Sequence, residues 1–202
     1  MKFILIGLHG SGKHEVAHQL QKMGLGYGRN FTNFDFIGVS KDKIYNGEDF
    51  EVYNNQDVNE IFENNAYIYI QEHQDFYIEN SYKYFEGLSK YAFDNNDVFI
   101  MSPDQFLTVP ANNLPKDTIY VWLDNTKSNR QNRYKLNKLN YDFSYREELE
   151  QKDIKEFVKV LYNVTDAKIL YFTNEELGRV ASIIYSIHKH PDLLETFIEN
   201  YN

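Results

Sequence analysis

Apolar positions at the start of the chain form a continuous run, residues 3–6 (FILI), that stops at Gly7. A short unbroken apolar run of this kind is the pattern of a parallel strand covered on both faces. After Lys13 the pattern changes period. Val16, Leu20 and Met23 recur at helical spacing, and Gly24 stands where such a helix would stop. Comparable runs at residues 98–101, 119–123 and 169–172 each lie beside a helix-compatible segment. Strands alternating with helices predict an α/β chain built on a doubly wound parallel sheet.

Between about residues 30 and 90 the pattern differs. FEVYN, AYIYI and DFYI are short, rich in tyrosine and separated by Asn, Asp and Gly, which predicts small antiparallel strands. They form an insertion able to cap the sheet's binding edge. Ser144 and Glu147 have capping-box spacing and predict a helix start, and Ile154, Phe157, Val158 and Leu161 give that helix an apolar face. Glu150 falls on the same face but near the helix start, within reach of water and suited to the dipole. The last segment, HPDLLETFIENYN, reads as one more short helix. No repeat, low-complexity tract or Pro/Ser-rich linker interrupts the chain.

At 202 residues the chain is sized for one domain with a modest insertion. A net charge of -9 argues against sequence-blind binding to nucleic acid, which is driven by cationic contacts to phosphates. One block breaks this trend. Residues 126–141 carry Lys127, Arg130, Arg133, Lys135 and Lys138 with no carboxylate, though an uncommitted solvated face would look the same. With no cysteine, disulfides and thiolate metal sites are excluded. No run approaches the length of a membrane span, and a monomer or homodimer in the cytoplasm is the expectation.

The candidate chemistry lies in GLHGSGKHE, residues 7–15. Gly7, Gly12 and Lys13 satisfy G-x-x-x-x-G-K, and Gly10 adds a flexible position. Small residues let backbone N–H groups of the loop, from Gly7 through His9, Gly10, Ser11 and Gly12, turn toward phosphate oxygens while Lys13 reaches the terminal phosphates. His14 occupies the place of a hydroxyl that helps to hold Mg²⁺. Imidazole is a poorer partner for a hard cation. Either turnover is lost, or Mg²⁺ is held through water and the nucleotide's own oxygens, or His14 is an ordinary first-turn residue.

With these flanks the chain resembles the guanylate kinase family of P-loop nucleoside monophosphate kinases. GLHGSGK is similar to that family's G-P-S-G-S-G-K loop, NGEDFEV (46–52) to its N-G-x-D-Y-x-F segment, and NNAYIYI (64–70) to the stretch one helix later. SYKYFEGLS (81–89) and VFIMSPDQF (98–106) resemble its Tyr-Tyr-Gly-Thr/Ser element and the strand ending in Asp-x-Asp-x-Gln. The order runs to about residue 185. The resemblance implies a three-layer parallel-sheet P-loop core with an inserted small β-rich acceptor-binding domain and a basic helical lid. One domain would then span 1–202, with core segments 1–30, 91–125 and 163–202, an acceptor insertion at 31–90 and a lid at 126–162.

It further implies ATP with Mg²⁺ as cofactor and a nucleoside monophosphate as acceptor, GMP or dGMP being the family default. Lys41, with Lys43 close by, stands near where the family places acceptor-phosphate arginines, and a lysine offers charge without a bidentate fork. Tyr82 and Tyr84 either donate to that phosphate or pack the small sheet as alternating aromatics. Strict matching places Tyr69 at the base-reading carboxylate, with Glu72 and Glu79 nearby. Ser102 replaces the first aspartate of the pair, and Asp104 either orients Mg²⁺-bound water or Lys13, or caps a turn. Arg130 and Arg133 share a helical face, and with Arg146 and Lys13 would neutralise charge during transfer. The alternative is a non-catalytic module of the same family that binds a nucleotide or a protein.

Overall fold

The computed structural model describes residues 1–33, 50–75, 82–109, 113, 118–136, 143–163, 168–173 and 176–201. Along the chain it runs β1 (Lys2–Ile6), α1 (Lys13–Lys22), β2 (Asn30–Thr32), β3 (Phe50–Val52), α2 (Asn55–Glu63), β4 (Tyr67–Asp75), β5 (Tyr82–Ser89) and α3 (Lys90–Asn95). It continues with β6 (Val98–Met101), α4 (Pro103–Leu107), β7 (Thr118–Asp124), α5 (Lys127–Leu136), α6 (Phe143–Asn163), β8 (Lys168–Thr173), α7 (Leu177–Lys189) and α8 (Leu193–Tyr201). Two compact units result: Met1–Tyr27 with Asn96–Leu107 and Pro115–Asn202, and Gly28–Asn95 with Thr108–Leu114. No helix of the described residues is long and apolar enough to cross a membrane.

The first unit holds a parallel sheet in the order β6-β1-β7-β8. Because side chains alternate along a strand, Phe3, Leu5, Val121 and Phe172 enter one core with Val16 and Leu20 of α1 and Val180 and Ile184 of α7. On the opposite face Trp122 stacks on Phe157 of α6, with centroids 5.0 Å apart, and Phe106 of α4 meets Tyr120 and Phe157 edge-on. Helices therefore cover both faces, which is why these strands lack polar alternation. The sequence-derived runs at 98–101, 119–123 and 169–172 fall in β6, β7 and β8.

Three details depart from the periodicity reading. Met23 is not on the buried face of α1 but follows its last turn, 38% exposed. The stop is a left-handed Gly24 at φ 98°, whose successor Leu25 donates its N–H to Leu20 O, closing the helix C-terminus. Helix α6 begins at Phe143, before the expected cap at Ser144, and Val158 is exposed while Phe157 and Leu161 are buried.

The second unit holds a mixed sheet in the order β3-β2-β5-β4. FEVYN and AYIYI enter β3 and β4, while residues 76–78 of DFYI lie outside the described residues; β5 runs antiparallel to β2 and β4, but β2 and β3 pair in parallel, Phe31 opposite Glu51. The long connection from Thr32 to Phe50 permits this, since parallel neighbours need a crossover rather than a tight hairpin. β4 is also longer than AYIYI. It continues through Gln71–Asp75 on an edge of the sheet, where a polar face need not be buried. α2 starts at a reciprocal capping box: Asn54 Oδ1 accepts from Asp57 N–H and Asp57 Oδ2 from Asn54 N–H.

Candidate functional site

The loop between β1 and α1 is shaped by its glycines. Gly10 and Gly12 adopt φ of 76° and 98°, in the region that L side chains avoid. A Cβ on Gly10 would lie 2.8 Å from Arg130 O, and one on Gly12 would strike Leu177 and come within 2.8 Å of an Arg133 nitrogen. Both positions therefore require glycine twice over, for conformation and for space.

Around this loop every carbonyl from residue 7 to residue 11 has a donor. Lys13 Nζ donates to Gly7 O (2.6 Å) and Leu8 O (3.1 Å), and Arg130 to His9 O (3.4 Å). Arg133 donates to Gly10 O (3.4 Å) and Ser11 O (2.8 Å), the latter shared with Asn125 Nδ2 (2.9 Å). Buried carbonyls must be satisfied, and here that is done by side chains from α1, the end of β7 and α5. The N–H groups of Gly10 and Gly12 have no acceptor among the described residues. Ser11 Oγ is likewise buried without a partner among them. A run of satisfied carbonyls with backbone N–H donors left over is an arrangement suited to an anion.

Two carboxylates of α6 hold the loop's flank. Glu147 forms a two-pronged pair with Arg130, at 2.7 Å to each nitrogen, and Arg130 is only 3% exposed while its Nε donates to Asn125 O. That hydrogen-bonded pair outweighs burial and lowers the Glu147 carboxyl below its ordinary value. Glu150 is 4% exposed. It accepts from His9 N–H through both oxygens (3.0 and 3.2 Å), and His9 Nδ1 lies 2.9 Å from its Oε1. Burial pushes Glu150 up, but the His9 hydrogen bonds and the charges of His9 and Lys13 more than offset it and bring the carboxyl down to about 2. The capping reading of Glu147 and the water-facing reading of Glu150 are both replaced by contacts to the loop assembly.

Comparison with solved structures places this architecture beside guanylate kinase from Anaplasma phagocytophilum. The TM-score is 0.52 at 12% identity, over 94% of this chain and 84% of that one. The α/β fold, with its parallel sheet and glycine loop, is similar to that protein's. At that identity the likeness is one of fold. Shikimate kinase from Acinetobacter baumannii in complex with shikimate also aligns, with TM-score 0.41 and 14% identity over 95% and 94% of the two chains. No protein-family model matches the chain, and no curated protein matches it.

On this frame the sequence-derived residues separate into groups. Gly7, His9, Gly10, Ser11, Gly12, Lys13, Arg130 and Arg133 come together at the P-loop. His14 is half-buried in the first turn of α1 with its Nδ1 3.4 Å from Tyr27 Oη. Ser102 and Asp104 sit at the carboxyl end of β6, where Ser102 N–H donates to Gln105 Oε1 and Ser102 Oγ is buried without a partner among the described residues. Arg146 lies in the first turn of α6, its side chain outside the described part.

In the second unit Glu72 is exposed on β4 opposite Phe85, Tyr84 is half-buried on β5, and Tyr82 pairs with Asp75. Tyr69, the strict match to the base-reading carboxylate, is fully buried. Lys41, Lys43 and Glu79 lie outside the described residues. Among the described residues no cluster of three or more His, Asp or Glu side chains could hold a metal. Sequence reasoning missed Asn125 as a site residue, although an amide at the end of a parallel strand is where ligand-side groups concentrate.

Proposed function

We propose that the chain is an ATP-dependent kinase that transfers the γ-phosphoryl group to a nucleoside or deoxynucleoside monophosphate. The observation that carries this reading is the P-loop itself: glycines at φ 76° and 98°, carbonyls 7–11 all satisfied by side chains, and N–H donors of Gly10 and Gly12 without an acceptor among the described residues. Such a loop offers oriented backbone dipoles to phosphate oxygens. The guanylate kinase order of motifs supplies the acceptor class.

In the transfer, an anionic oxygen of the acceptor monophosphate attacks the γ-phosphorus, and the bond to the β–γ bridging oxygen breaks to release ADP. No side-chain base is needed for an oxygen already ionised. ATP would bring the phosphoryl group, and Mg²⁺ bound with it would supply positive charge to offset that of the phosphates. Lys13 and the N–H groups of Gly10 and Gly12 would hold the β- and γ-oxygens, with Lys13 exchanging its contacts on Gly7 O and Leu8 O for phosphate. Arg133, part-buried on the loop carbonyls, is close enough to add positive potential. Arg130, saturated by Glu147, Asn125 O and His9 O, fits the role of loop anchor better than that of a cation meeting phosphate. Lys41, Lys43, Tyr82 and Tyr84 would meet the acceptor phosphate. Glu72 and Glu79 are candidates for reading its base, while Ser102 and Asp104 would act at the end of β6.

A coupled assay of ADP release over the full panel of ribo- and deoxynucleoside monophosphates tests the proposal. It expects at least one acceptor to stimulate ADP release in a Lys13-dependent manner; ATP binding with no stimulation by any acceptor would sink it. The second reading, a non-catalytic binding module, is favoured by one feature, the Glu150 carboxylate lodged on the P-loop. Mg²⁺·ATP discriminates, because a ligand bound only by the native state raises Tm, and a module without a nucleotide site would show no shift.

A further inference from the structure

We infer that Glu150 is an internal anion on the P-loop, which the phosphates of an incoming nucleotide must displace. The geometry is that of a bound anion rather than of a surface ion pair. Its carboxylate is buried, takes the backbone N–H of His9 at 3.0 and 3.2 Å, and has His9 Nδ1 at 2.9 Å. His9 sits inside G-x-x-x-x-G-K, the segment whose N–H groups would cradle phosphate. Lys13 lies near enough for its charge to stabilise the ionised Glu150. The carboxylate thus draws on the same positive potential that a triphosphate needs.

Two anions cannot share that potential without strong repulsion, since the interaction of like charges a few ångströms apart is poorly screened away from bulk water. Phosphate binding therefore requires Glu150 to leave His9. The departure has a route. Glu150 lies two turns into α6, and Glu147, one turn earlier, stays tied to Arg130, so a shift of α6 or a rotamer change can free one carboxylate while the other keeps the helix on the loop. Apparent affinity for phosphate is then the intrinsic affinity scaled by the fraction of molecules in which Glu150 is off the loop. Empty, the loop is held shut by its own side chain; occupied, it changes how α6 is held.

This rests on the P-loop being a phosphate site, and the experiment separates the two. Inorganic pyrophosphate and ATP·Mg²⁺ are titrated calorimetrically into the full chain and into Glu150→Gln, Glu150→Asp and Glu148→Gln. Glu148 is exposed on the same helix and controls for net charge. Glu150→Asp keeps the charge but withdraws it by one methylene, and decides the matter if Glu150→Gln does not fold. The expected result is about tenfold or more tighter binding of both probes by Glu150→Gln, a smaller gain by Glu150→Asp, and no gain by Glu148→Gln. Glu150 variants that bind no better than Glu148→Gln overturn the inference, as does absence of binding throughout. ATP binding tightened by Glu150→Gln without transfer to any monophosphate would leave this inference standing and remove the kinase reading.

Discussion

The two sheets treat charge in opposite ways. In the first unit β1 is buried along residues 3–6, and charges beside its end are buried too: Arg130 with Glu147, Glu150 against the half-exposed His9, Lys13 on loop carbonyls. In the second unit β3 has Glu51 and Val52 exposed, and the pairs near it are in water, Tyr53 Oη donating to Glu51 at 2.9 Å and Asn54 exchanging bonds with Asp57. A charge held out of water is fixed in place by every partner it has, because losing one leaves the other uncompensated. An exposed pair can be re-solvated at little cost. The first arrangement ties the loop after β1 to α5 and α6, and the second leaves a surface that can adjust.

The largest expected effect breaks a buried pair. Arg130→Ala should cost about 3–5 kcal/mol in urea denaturation because Glu147 is left charged and buried. The exposed counterpart Glu51→Ala should stay within about 0.5 kcal/mol. Equal losses would erase the distinction between the units. An Arg130→Met/Glu147→Leu double variant should recover most of the loss, since it removes both charges together.

Acid titration sharpens the same point. Glu150 and Glu147 ionise more readily in the folded chain than in the unfolded one, so the stability they contribute is present above the ordinary value of 4.5. It is lost as pH falls from there toward about 2, the folded value for Glu150. Stability followed by denaturation between pH 6 and pH 2 should decline in this window, and Glu150→Gln should flatten that decline. A wild-type curve no steeper than the variant's would contradict the ion-pair account.

Smaller effects belong to positions where water remains a partner. Asn54→Ala removes one half of the α2 capping box and should cost about 1 kcal/mol by denaturation. Gly178→Ala, exposed in the first turn of α7 with only Gln19 Oε1 at 3.5 Å, should raise stability by about 0.5 kcal/mol. A loss there would show that the first unit resists change even where nothing is buried.

The sequence made the first unit legible because continuous apolar runs and one glycine motif each have a single structural solution. FILI, VFIM and IYVWL are short apolar runs beside helix-compatible segments, and Gly7, Gly12 and Lys13 match one phosphate-loop pattern. Polar partnerships across long separations were not legible. Nothing in the spacing of His9 and Glu150, or of Arg130 and Glu147, encodes their meeting. Local rules pulled the other way, reading Glu147 as a cap and Glu150 as water-facing, until tertiary contacts overrode both. Parallel pairing of β2 with β3 was hidden for a related reason: it depends on a long crossover, which no local pattern announces.

Calorimetric titration of ATP·Mg²⁺ into the wild-type chain and Lys13→Ala tests the central claim most directly. The account predicts saturable binding by the wild type and at least about a tenfold loss on removing the charge that meets the terminal phosphates. Equal affinity in the two proteins, or no binding by either, would contradict a phosphate cradle at Gly7 to Lys13.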